Sequence, residues 1–133
     1  MPTSYSIDRA RNVVLEVWTG VVTPADVAST WRVMAVDAEV NACRRLLCDV
    51  RAADMQLTPA DFGELVHTIL VPAIGKAPWH SAIVVGTPVQ YGKSRQFDAF
   101  AQVVMTDAIF ERIEDALAWL DSRTGGERFD TPA

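Results

Sequence analysis

The stretch Val85-Gly86-Thr87-Pro88-Val89-Gln90-Tyr91-Gly92-Lys93-Ser94 nearly spells a phosphate-binding loop. Such a loop reads G-x-x-x-x-G-K-[ST], so that the backbone N–H groups between its glycines wrap the phosphate oxygens. Here Gly86 and Gly92 bracket five residues instead of four, and Pro88 removes one N–H donor the cradle would use. The ruler goes against nucleotide binding. The stretch is predicted to be a strand-to-helix connection that happens to contain Gly-Lys-Ser.

The other chemistry-bearing side chains cluster by position. Asp49, Arg51, Thr87, Tyr91 and Arg95 map to the carboxyl ends of strands, where open α/β sheets hold their ligands. Two readings stand. One is an ion pair of Asp49 with an arginine, with Tyr91 packed on the loop. The other is a small anionic or polar ligand held by Arg51 and Arg95, whose guanidinium forks suit a carboxylate or phosphate. Asp49 closes its strand whereas His80 opens the next, and the rise along parallel strands keeps the two too far apart for a catalytic pair. His67 falls within a helix, and Ser81 and Ser94 have no histidine within reach. With neither base nor activated nucleophile, the expectation is a protein that is not an enzyme and uses no metal and no cofactor.

The elements that position these residues alternate. Tyr5 to Arg9 and Val13 to Thr19 read as strands joined by a tight turn around Ala10 to Asn12. Thr23-Pro24 and Thr58-Pro59 each place a capping hydroxyl before a proline at the first helical position. The first helix carries Val27, Trp31, Met34 and Ala35 at helical spacing. The second carries Phe62, Leu65, Val66 and Ile69 on one face and ends at Pro72 and Gly75. Strands at 44–50 and 80–86 separate them from a third helix with Phe97, Phe100, Ala101 and Val104 inward. A stub at Ile109-Phe110 and a helix from Glu114 to Ser122 close the order. Strand–helix alternation predicts one α/β domain over 1–133, its core about 5–121 and a frayed tail at 123–133. It has about five mostly parallel strands, an antiparallel N-terminal edge strand and four helices.

Composition narrows the partners. The chain of 133 residues has a formal charge of −5 and is 50% hydrophobic, and its arginines form no stripe with interleaved aromatics. Nucleic acid is not an expected partner. The opening Met1 to Ala10 has no apolar core, and no run reaches the length of a membrane span, so the expected location is cytoplasmic. Cys43 and Cys48 are expected to be free, with Cys48 acting as a small buried hydrophobe.

The order of these pieces resembles the bacterial SpoIIAA-like family, within the wider STAS-type and CRAL-TRIO-type group of small α/β domains. The resemblance rests on the capped Thr23-Pro24-Ala25-Asp26 helix, the strand Leu46-Leu47-Cys48-Asp49-Val50-Arg51, and the second start Leu57 to Phe62. Tyr91-Gly92 with Arg95 and Phe97, and the ending Phe110 to Leu120, complete it. It covers about residues 5–121. It implies a right-handed βα superhelix and a non-catalytic regulatory or protein-interaction module. The alternative it implies is a carrier or sensor of a small amphipathic or anionic ligand, in the manner of the lipid-binding relatives. Its anti-anti-sigma members are switched by phosphorylation of a serine that follows an aspartate. Here Val50 and Arg51 follow Asp49, so that switch is not expected.

The strand alternation sets a further expectation. Val13, Leu15 and Val17 are read together with Leu46, Cys48, Val50, Ile83 and Val85 as the helix-covered face. Glu16, Arg45 and His80 then share the opposite face with Trp18, Leu47 and Val84, an apolar patch with a charged rim fit for a homodimer or partner protein. The competing cover for that face is a terminal segment folding back. A pocket beside Phe62, Phe97 and Phe100 would favour the carrier, and a solid core there the interaction module.

Overall fold

The computed structural model describes residues 2–74 and 79–123. Five strands form one sheet in the order β1-β2-β3-β4-β5: Thr3–Asp8, Val13–Val22, Arg45–Met55, Trp79–Val84 and Met105–Phe110. β1 runs antiparallel to β2 at the edge, and the other pairs are parallel. β5 has six residues, not the two-residue stub that Ile109-Phe110 suggested.

Helix α1 (Pro24–Ala35) and helix α3 (Pro59–Leu65) both start with a reciprocal capping box, Thr23 with Asp26 and Thr58 with Asp61, and with proline in the first turn. The run from the Thr23 cap to Val40 reads from sequence as one helix. Asp37 instead accepts hydrogen bonds from the backbone N–H groups of Glu39 and Val40 and starts a separate α2 (Ala38–Cys43), which makes five helical rods among the described residues rather than four. α3 continues through a π-helical stretch, Val66–Leu70, into α4 (Val71–Ile74). Pro72 therefore sits inside this rod instead of ending it. Proline offers no N–H and its ring crowds the carbonyl four residues back, that of Thr68, and the wider π turn relieves both problems. Gly75, expected to end this helix, and 124–133, nearly all of the expected frayed tail, lie outside the described residues. α5 (Pro88–Ala101) and α6 (Ile113–Asp121) complete the chain.

The register corrects the assignment of faces. Glu16 pairs with Cys48 and Cys48 with Ile83, so these three point the same way, toward α1, α3 and α5. Leu15 pairs with Leu47 and Leu47 with Ala82, on the other face. The alternation read from the sequence phases β2 one residue out, and a slip of one inverts every side chain. The expectation that all helices share one side fails for α6. Because no strand follows it, no crossover rule governs it, and it covers the second face over Val13, Leu47, Ala82 and Val84.

The predicted association patch is thereby dissolved. Trp18 is 4% exposed in the main core, and Leu47 (4%) and Val84 (0%) lie beneath α6. Phe100 also departs from expectation. It is 41% exposed and leans over Gly63, where a Cβ would come within 3.0 Å of its ring, while Phe62 is 1% exposed. Truncating Phe62 to Ala is expected to cost about 3–5 kcal/mol, as for a fully buried aromatic side chain, and Phe100→Ala less than about 1 kcal/mol. Urea melts of the two variants measure the contrast, and equal losses would contradict this packing.

Candidate functional site

The Gly-Lys-Ser stretch lies within α5, and only Val85, Gly86 and Thr87 connect β4 to the helix. Thr87 accepts from Gln90 N and caps α5. Gln90 accepts from Gly86 N and donates to the carbonyls of Arg51 and Ala53, tying the helix start to β3. Lys93 donates to Leu57 O at 2.6 Å. The backbone that would wrap a phosphate is helical, and the lysine is already spent on a carbonyl.

Of the five residues expected at strand ends, Asp49 and Arg51 lie inside β3, which runs on to Met55, Thr87 precedes α5, and Tyr91 and Arg95 stand on α5; they fall into local groupings. Arg51 Nε and Nη2 donate to the two carboxylate oxygens of Asp49 at 3.0 and 2.9 Å. Burial pushes the Asp49 carboxyl up, but the Arg51 hydrogen bonds outweigh it and hold the group below its ordinary value. Arg95 donates to the Tyr91 hydroxyl one turn away on α5, on the helix surface. Thr87 serves the cap. His80 pairs with Arg45 at the start of β4, while Asp49 pairs with Val84, four positions further along, so that pair is indeed remote. Among the described residues no group of three or more His, Cys, Asp or Glu is placed to hold a metal ion.

The pocket that the sequence left open as one of two outcomes is present inside. Between the sheet and the α1, α3 and α5 layer lies a chamber of about 80 Å³. Protein interiors leave few voids larger than one water, and a water needs roughly 10–15 Å³ on this scale, so the space is unusual for a domain of this size. Its walls are apolar and aromatic, with Trp31, Phe62, Phe97 and Trp79 among them; Phe100 is not a lining residue. Ala35, Leu70, Ala73 and Ile74 are half-buried and Asn41 is exposed, so the chamber reaches the surface between the α1–α2 corner and α4. The π turn sets the facing of Leu70, Ala73 and Ile74 at this rim. β3 carries one extra residue against β2 between Asp49 and Ala52, a bulge that bends the strand beside the chamber wall at Trp18 and Val50.

Two polar groups stand in this apolar lining with unusual environments. Glu16 is 1% exposed, and its Oε2 accepts from Trp18 Nε1 at 2.8 Å and Trp31 Nε1 at 3.1 Å. Burial pushes its carboxyl up to about 7, against the lowering effect of the Trp18, Trp31 and Cys48 hydrogen bonds. Ser94, 1% exposed on α5, also lines the chamber, and its Oγ has no hydrogen-bond partner. Cys48 lies on the same lining with its thiol pushed well above the ordinary value by burial, so it stays protonated and unreactive. Both cysteines are free and buried, Cys48 as the small hydrophobe expected. One signal in the sequence pointed here, the acid Glu16 set between Leu15 and Val17 in an apolar stretch of strand.

Behind the chamber wall, Asp107 on β5 pairs with Ser81, itself a lining residue. Burial first, and then the neighbouring carboxylate of Asp98, push the Asp107 carboxyl up to about 8. Its polar neighbours close no hydrogen bond of good geometry with it.

No family model matches the chain, and no curated protein does. Among solved structures, one similar chain is an uncharacterized protein of the DUF3478 family from Shewanella loihica PV-4. It is 19% identical, has a TM-score of 0.61, and the match covers 89% of this chain and 93% of that one. Among the described residues no helix is long and apolar enough to cross a membrane. The strand order, the antiparallel edge and this likeness agree: the protein has a SpoIIAA-like α/β fold.

Proposed function

We propose that the protein is a non-catalytic carrier or sensor that takes a small, mostly apolar molecule into the chamber between the sheet and α1, α3 and α5. The observation that carries this reading is the chamber itself, apolar, open at one rim, and holding a buried acid and an unpartnered hydroxyl. A core that had only to be stable would fill the space, because each unfilled methyl-sized void costs about 1 kcal/mol. An unpaired buried hydroxyl adds its own cost. Both are explained by an occupant that supplies the missing contacts. The partner-docking reading relied on Trp18, Leu47 and Val84, and those residues are buried within the single chain.

Trp18, Trp31 and Trp79 line the space and report on it directly. Titration with short n-alkanols is expected to change tryptophan emission saturably, with the response peaking at a chain length that fits and falling beyond it. Replacing Ala73 at the rim by Phe is expected to abolish the response while leaving the fold intact by circular dichroism. A linear, unsaturable response identical in both proteins would refute the reading.

A further inference from the structure

We infer that the chamber selects a ligand whose head is an ammonium on a short apolar chain, with the nitrogen seated against Glu16 and Ser94; this rests on the chamber reading above. The first ground is charge. Among the described residues Glu16 is the one carboxyl on the lining, and no Lys, Arg or His stands there with it. Its hydrogen-bond partners, the indoles of Trp18 and Trp31 and the thiol of Cys48, are all neutral. Buried carboxylates are ordinarily matched by a cation, and this one has none among the described residues. Folding has already stripped water from it, so an arriving cation meets a dry, fixed counter-charge whose desolvation has been met in advance.

The second ground is hydrogen-bond capacity. The two indoles and the thiol occupy three of about four acceptor sites on the Glu16 carboxylate, which leaves room for one more donor. Ser94 Oγ is buried on the same lining with its acceptor capacity unused. An ammonium brings three donors, one for the free acceptor site of the carboxylate and one that Ser94 Oγ can accept. The third ground is the wall. Trp31, Trp79, Phe62 and Phe97 surround the space with ring systems, and such rings attract cations strongly once water is excluded. A carboxylate ligand would set two acids in one dry chamber and force a proton onto one of them. A neutral alcohol would satisfy the donor but draw nothing from the charge or the rings. The anionic ligand suggested by Arg51 and Arg95 is thus not the kind this chamber takes.

The experiment compares n-butylammonium, n-butanol and butyrate, matched in chain length, by tryptophan fluorescence and calorimetry near pH 8. There Glu16 is mostly ionised, the amine remains protonated, and Cys48, the only other titratable group on the lining among the described residues, is neutral. Butylammonium is expected to bind at least about tenfold more tightly than butanol, and butyrate not at all. Glu16→Gln is expected to bring the amine to within about twofold of butanol while butanol is unchanged. In case that variant folds poorly, the parent protein near pH 5.5, where Glu16 holds its proton, is expected to lose the same preference. Butanol binding as well as or better than butylammonium at pH 8, or butyrate binding best, overturns the ammonium assignment and leaves the chamber reading standing. Failure of all three to bind overturns both.

Discussion

Replacing Arg45 by methionine is expected to remove about 3 kcal/mol of folding stability and to loosen α6 from the sheet. Arg45 is 2% exposed, and its guanidinium donates to backbone carbonyls on two elements. Nε and Nη2 reach Asn12 O and Arg11 O in the β1–β2 turn, and Nη1 reaches Leu120 O at 2.7 Å and Arg123 O at 3.4 Å at the end of α6. The carbonyl end of a helix carries partial negative charge and lacks intrahelical donors, so one cation satisfies both needs there. Methionine fills similar space but leaves these acceptors unpaired at about 1–3 kcal/mol each, offset in part by no longer burying a charge. The net is a large fraction of the 5–15 kcal/mol typical of a domain. Urea denaturation measures the loss, and amide exchange across residues 113–121 should accelerate more than across β3. A loss below about 1 kcal/mol with α6 protection intact would show that apolar packing alone holds the helix.

Arg45 also shows where the sequence stopped being legible. Strand and helix order, the antiparallel edge, both Thr-Pro starts and the failure of the phosphate loop could be read directly, because propensity, capping and hydrogen-bond spacing are local. The phase of β2 could not. Val13 to Val17 is apolar on both faces apart from Glu16, so alternation set no phase, and an acid is assigned to solvent by default. That default moved Glu16 and Trp18 to the wrong side and made Arg45, Leu47 and Val84 look like a rimmed patch. Asn12 hides a similar nonlocal device. It turns the chain at a φ of 57° and is fully buried, its Oδ1 accepting from Cys43 Sγ and its carbonyl from Arg45. A left-handed asparagine is a familiar turn residue, but its burial follows from α2 and β3 arriving later in the chain. The chamber was least legible of all. It is a space no residue fills, and its size depends on how the π turn and the β3 bulge set the walls.

Raising the pH from about 5 to about 8.5 is expected to destabilise the protein by at least about 2 kcal/mol, opposite to the usual behaviour of structures held by ionised carboxylates. Two buried acids set the sign. Asp107 titrates at about 8 in the folded protein against an ordinary value of 3.8, and Glu16 at about 7 against 4.5. Below about pH 3 both states hold these protons and the full contribution is present. As pH rises, the unfolded chain releases them while the folded protein keeps them. Stability therefore falls, by up to about 1.4 kcal/mol per pH unit for each group, until the folded values are passed. The carboxylates that oppose this, Asp37 beside Tyr5 and Asp49 beside Arg51, have values held below the ordinary range. Their gain is complete by about pH 5 and does not operate in the window. Asp98 on α5 faces Asp107, and its charge adds to the cost of ionising the buried group. Urea midpoints measured across the window test this, with Asp107→Asn expected to flatten most of the slope and Glu16→Gln the remainder. A midpoint that holds steady or rises toward pH 8.5 would mean both carboxyls are ionised inside the fold. Glu16 would then need a cation beside it even at rest, and the occupant of the chamber would be part of the folded state.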